Sequence, residues 1–199
     1  MRRRDENKVA ALEASALAIV QNQGLSQLSI SKLAKRAGVS VATAYIYYEN
    51  KADLLGKLYQ RVQERLILAV PSPAADQPIQ AQFTQVMQAY AHNFLIHPAD
   101  VTFLAAMTAN PEYFPAREEH GDSLLGPAMM AVIKAAYQAD GLQTGNVDLL
   151  LAQGLYPLEW LLESRLQHGL SVQQDEIDTL IKMAERAIFR PAMLADERI

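Results

Sequence analysis

Apolar residues recur at helical spacing along almost the whole chain, and no segment shows the strict alternation of a half-buried strand. Val9, Leu12, Ala16, Ile19 and Val20 mark a first helix, closed by Gly24, a residue that tolerates the left-handed conformation of a helix end. Two short helices follow. Ser29 can cap one with inward residues Ile30, Leu33, Ala34 and Ala37; Gly38 breaks it, and Ser40 can cap the next, which runs through about Tyr48. From Lys51 to about Val70 a long helix carries Leu54, Leu55, Leu58, Val62, Leu66 and Ala69, and Pro71, Pro73 and Pro78 end it. Beyond that interhelical loop, residues 79–97, 99–110, 123–140, 146–168 and 172–190 read as helices separated by proline- or glycine-containing turns. Pro157 falls inside the fourth of these and should kink or interrupt it. The pattern predicts an all-α chain without internal repeats: an amino-terminal three-helix domain over residues 1–50 and a larger helical domain over 51–199.

With 199 residues, half of them hydrophobic, the chain can bury a sizeable core without covalent staples. It has no cysteine, which excludes disulfides, thiolate metal sites and cysteine nucleophiles and suits a reducing cytosol. The charged start, followed by an amphipathic stretch, resembles neither a signal peptide nor a membrane span, so a cytoplasmic protein with no membrane association is expected. His92, His97, His120 and His168 do not form a metal-ligating spacing, and Glu118, Glu119, His120 and Asp122 fall in an expected loop. No glycine-framed serine or HExxH motif occurs, so neither an enzyme nor a cofactor is expected.

Charge changes the picture once it is divided along the chain. Residues 1–51 carry eight basic and four acidic side chains, a net +4, which leaves −8 for the remainder of a chain whose total is −4. A basic head on an acidic body suits a protein that meets phosphate at one end.

The two short helices joined by Gly38 have the form of a helix-turn-helix, in which the second helix enters the major groove. Ala34 and Ala37 are small where the helices must approach, and Val39 can fill the gap beneath the turn. At 100° per residue, an inward Ala44 puts Tyr48 about 40° away on the same side and Ala42 and Ile46 about 160° away, facing the groove. Thr43 and Tyr45 then flank the helix near the two phosphate strands. Ile46 suits a thymine methyl, or is an exposed aliphatic. From Val41 to Tyr48 there is no Arg, Lys, Asn or Gln, so reading must use methyl contacts, water, DNA shape, or insertion of Arg2, Arg3 and Arg4 into a minor groove. Those arginines can equally be a basic tail.

Ser29-Ile30, Leu33-Ala34, the AGVS run Ala37–Ser40, Thr43, Tyr45, Tyr47-Tyr48, Lys51 and Leu54-Leu55, in that order near the amino terminus, resemble the tetracycline-repressor-like (TetR/AcrR) family. The match covers about the first quarter of the chain. Ala44 stands where that family more often has a larger aliphatic, and Tyr48 where it usually has phenylalanine. The resemblance implies that Tyr47 and Lys51, with Thr43 and Tyr45, contact the DNA backbone. The expected DNA-binding set is therefore Ser40, Val41, Ala42, Thr43, Tyr45, Ile46, Tyr47 and Lys51. It also implies a homodimer on a two-fold symmetric operator, a ligand cavity in the carboxy-terminal domain, and release from DNA when a small molecule binds.

For that second domain the residues say less. Met87, Tyr90, Phe94, Phe103, Met107, Met129, Tyr156 and Trp160 form a Met- and aromatic-rich set that suits an adaptable cavity for a small apolar or amphipathic effector, or plain core. Glu159 and Glu163, one turn apart, can attract a cation or form a solvated face. The last two helices carry apolar stripes, Leu158, Leu162 and Leu166 on one and Ile177, Leu180, Ile181, Ala184 and Ile188 on the other. Such stripes can pair with a second copy in a four-helix interface, or serve the chain's own core.

Overall fold

The structure, a computed structural model, describes residues 5–113 and 125–194. Arg2, Arg3 and Arg4, and the loop residues Glu118, Glu119, His120 and Asp122, lie outside the described residues. The helices are α1 (Glu6–Gln23), α2 (Ile30–Arg36), α3 (Val41–Tyr47), α4 (Lys51–Gln63), α5 (Ile79–Ile96), α6 (Pro98–Thr108), α7 (Gly126–Gln138), α8 (Val147–Gly154), α9 (Tyr156–Gln167) and α10 (Gln174–Ile188). Among the described residues no strand forms beyond an isolated bridge between Leu142 and Phe189. The chain divides into two compact units, one of Met1–Gln63 with Pro98–Arg117, the other of Glu64–His97 with Glu118–Ile199.

In the first unit each short helix starts where a side chain satisfies its free amides. Asp5 Oδ1 accepts from the Asn7 amide at 3.1 Å, Ser29 Oγ from Lys32 at 3.3 Å, and Ser40 Oγ from Thr43 at 3.0 Å. Gly38, at φ 68°, makes the turn between α2 and α3 in a conformation that other residues rarely adopt. Leu12, Ala16, Leu33, Ala34, Ala44 and Leu54 are fully buried, so the small Ala44 is part of a closed core. Packing carries this unit beyond the expected boundary near Asn50. Lys57 on α4 donates to the Tyr47 carbonyl at 3.1 Å, Arg61 pairs with Glu13 at 3.6 Å, and α6 packs on α1. Phe103 and Met107 are therefore buried in the amino-terminal unit. The pairing of α6 with α1 joins segments some eighty residues apart, which no local pattern reveals.

In the second unit α5 packs on α7, α9 and α10. Phe83 meets Phe189 edge-on at 5.3 Å, and Gly154 lets α8 approach α10 so closely that a Cβ there would lie 2.6 Å from Ile188 Cδ1. The helix expected over 146–168 divides at Leu155, and Pro157 takes an early position of α9, where its missing N–H costs no hydrogen bond. The helix expected to run to Val70 is α-helical only to Gln63 and continues as a π turn over Glu64–Leu68.

Leu158, Leu162, Ile177, Ile181, Ala184 and Ile188 are buried against their own chain, and Leu166 and Leu180 are half-buried. Six of the eight residues expected to meet a second copy are therefore covered by their own chain. An apolar face has the same period whether it is covered by its own chain or by another.

Candidate nucleic-acid interface

α3 begins at the Ser40 cap, whose hydroxyl also lies 2.8 Å from Thr43 Oγ1, so Thr43 is half-buried and oriented from its own helix. Val41, Ala42, Tyr45 and Ile46 are exposed on one outward face, Tyr45 and Ile46 at 54% and 52%. One tyrosine and one isoleucine facing water from a seven-residue helix are an unusual exposure of apolar surface unless something apolar covers them. On the opposite face Ala44, Tyr47 and Tyr48 are buried.

The remaining residues of the expected set have intramolecular partners. The Tyr47 hydroxyl accepts from the Asp5 amide at 3.3 Å. The Lys51 ammonium donates to the Leu25 carbonyl at 2.9 Å and lies 5.1 Å from the centre of the Tyr113 ring. Neither partner exhausts the group, since a tyrosine hydroxyl that accepts still carries a proton to donate and an ammonium has three. A residue missed from sequence is Lys57. Its ammonium joins the Tyr47 carbonyl to Asp53, the latter at 2.7 Å, and sits 5.7 Å from the Tyr48 ring, so it fixes the end of α3. The i,i+4 spacing of Asp53 and Lys57 was the available signal.

The expected effector residues fall in both units and differ in burial. Met87, Tyr90, Phe94 and Met129 are buried in the second unit, Phe103 and Met107 in the first, and Tyr156 and Trp160 are exposed, Trp160 at 68%. The Tyr90 hydroxyl donates to the Leu125 carbonyl, and burial raises its pKa. Burial, with the neighbouring charge of Glu163, pushes the Glu159 carboxyl up to about 7; burial raises Glu163 as well. A groove of about 420 Å³ lies elsewhere in the second unit, lined by Arg65 and residues 69–71 on one side and by Ala89, His92, Asn93 and His97 of α5 on the other. Among the described residues no group of three or more His, Asp or Glu could hold a metal, and no helix is long and apolar enough to cross a membrane.

Residues 13–58 match the family profile described as bacterial regulatory proteins, tetR family. An uncharacterized HTH-type transcriptional regulator of Haemophilus influenzae is 46% identical over 44 residues, 22% of this chain and 24% of that protein. The fatty acid metabolism regulator protein of Bacillus subtilis is 36% identical over 53 residues, 27% of each. The matched segment thus spans about a quarter of these curated relatives. The crystal structure of a TetR family transcription regulator from Marinobacter aquaeolei VT8 superposes with a TM-score of 0.81 at 23% identity, over 95% of this chain and 99% of that one. These similar proteins are transcription regulators, not enzymes.

Proposed function

We propose that this chain, whose residues 13–58 match the tetR family of bacterial regulatory proteins, belongs to that family and acts in the cytoplasm as a ligand-responsive repressor. It binds a two-fold symmetric operator as a homodimer and is released by a small apolar or amphipathic effector. The observation that carries this reading is the outward face of α3, where Val41, Ala42, Tyr45 and Ile46 stand exposed at the basic end of the chain. Val41, Ala42 and Ile46 offer the bases methyl and methylene surface. Ser40, Thr43, Tyr45, Tyr47 and Lys51 supply hydroxyls and one ammonium for phosphate, which sets register without reading sequence. A single seven-residue helix reads only a few base pairs, so a second copy on a symmetric site is needed for useful specificity.

The surface proposed for that second copy is the outward side of α9 and α10, where Tyr156, Trp160 and Met183 are exposed at 43%, 68% and 62%. Large aromatic and Met side chains of this kind form the cores of protein interfaces. The test of the reading is electrophoretic retardation of a duplex carrying the promoter region of the chain's own gene, titrated over several salt concentrations. Saturable retardation, falling steeply with salt, is expected. Equal affinity for that duplex and an unrelated one of the same length would overturn specific regulation.

A further inference from the structure

Two backbone features meet at the groove in the second unit. In the π turn Glu64–Leu68 the Ala69 amide donates to the Glu64 carbonyl, five residues back, at 2.9 Å. The corresponding donor for the Leu66 carbonyl would be residue 71, a proline with no N–H; Asn93 Nδ2 of α5 donates to it instead, at 3.2 Å. The π turn is thus held by a side chain that also lines the groove.

The groove walls have one kind of chemistry. Ala69, Val70, Pro71 and Ala89 are apolar, and every ionisable side chain in the lining, Arg65, His92 and His97, is basic. Arg65 has an interaction of its own, so the donors of the site are sought elsewhere. The imidazoles supply N–H donors. Basic groups at a helix carboxyl end also serve the helix dipole, and His97, which caps α5, fits that role. His92 lies five residues earlier, beyond the last turn, where the dipole has little hold. A volume of about 420 Å³ lies within the usual range of small-molecule sites.

We propose that this groove is the effector site and that it takes a small amphipathic organic anion, its carboxylate held by His92 and His97 and its apolar body lying on Ala69, Val70 and Ala89. The inference rests on the effector-responsive reading above.

The test is calorimetric titration of the full chain, without DNA, with hexanoate, 1-hexanol and hexylamine, three head groups on one apolar body. Hexanoate should saturate, hexanol should bind at least tenfold more weakly, and hexylamine should give only heat of dilution. His92→Ala and His97→Ala should each weaken hexanoate about tenfold, the loss of one charge-assisted hydrogen bond. In wild type, hexanoate should shift the imidazole proton resonances of His92 and His97 and leave those of His168, which does not line the groove, in place. It should also slow amide exchange over residues 64–70. Equal binding of the three head groups, absence of saturation, or unmoved His92 and His97 resonances would overturn the site. Operator retardation measured without any of these compounds tests the regulator reading separately, so either can fail alone.

Discussion

The hydroxyl of Tyr47, the last residue of α3, accepts a hydrogen bond from the backbone amide of Asp5, the cap of α1. Helix α3 is thereby tied to the residue that caps α1, across 42 residues of sequence. Tyr47→Phe removes that bond and should lower stability by about 1 kcal/mol, which thermal unfolding reads as a fall of roughly 2–4 °C for a chain of this size. No charge is lost. Affinity should therefore drop alike for all duplexes while the salt slope of binding stays unchanged, and a changed slope would remove Tyr47 from this role.

Lys51 differs because its substitution removes a cation. Lys51→Ala should destabilise the first unit by about 1–2 kcal/mol, from loss of the bond to the Leu25 carbonyl and of the contact with the Tyr113 ring. If the ammonium also meets a phosphate, the salt slope should fall by about one. A destabilised variant with an unchanged slope would mark Lys51 as purely structural.

Ile46 is 52% exposed and points away from the core of the unit. Replacing a critical operator thymine by uracil, which removes only the methyl, should weaken wild type measurably and Ile46→Ala little. The double cycle separates this coupling from general loosening of α3. Equal losses in both proteins at every thymine would show that Ile46 reads no methyl.

The proposed homodimer surface can be tested away from the core. Trp160→Glu with Met183→Glu changes two exposed side chains, so the variant should fold, as judged by circular dichroism, yet sediment as a monomer. A folded variant that still sediments as a dimer would move the interface elsewhere. By contrast, Leu162→Glu would bury an unpaired charge and unfold the second unit.

Glu159 makes stability depend on pH. In the unfolded chain its carboxyl ionises near 4.5, whereas the folded protein holds the proton up to about 7. Between these values the unfolded state has lost a proton that the folded state retains, so stability should fall as pH rises through that window, by on the order of 3 kcal/mol. Glu159→Gln, which cannot ionise, should lack this loss and exceed wild type in stability at pH 8 but not at pH 4. Parallel urea-midpoint profiles for the two proteins would contradict the assignment.

What the residues determined alone was local. Ser29 and Ser40 cap the helices they were expected to cap, because a hydroxyl at that position satisfies a free amide whatever lies beyond. Gly38 turns the chain because only a residue without Cβ accepts φ 68° easily, and the outward face of Ala42 and Ile46 follows from the helical repeat once Ala44 points inward. The same repeat put Tyr47 only about 60° from Ala44, on the side that proves buried. Tertiary structure decided what covers each apolar stripe. Leu158 and Ile181 face their own core, Trp160 and Met183 are left outward, and Phe103 joins the unit that carries α3. A period of 3.6 residues states that a face is apolar and leaves open which neighbour buries it. That choice belongs to contacts between segments tens of residues apart, such as the packing of α6 on α1.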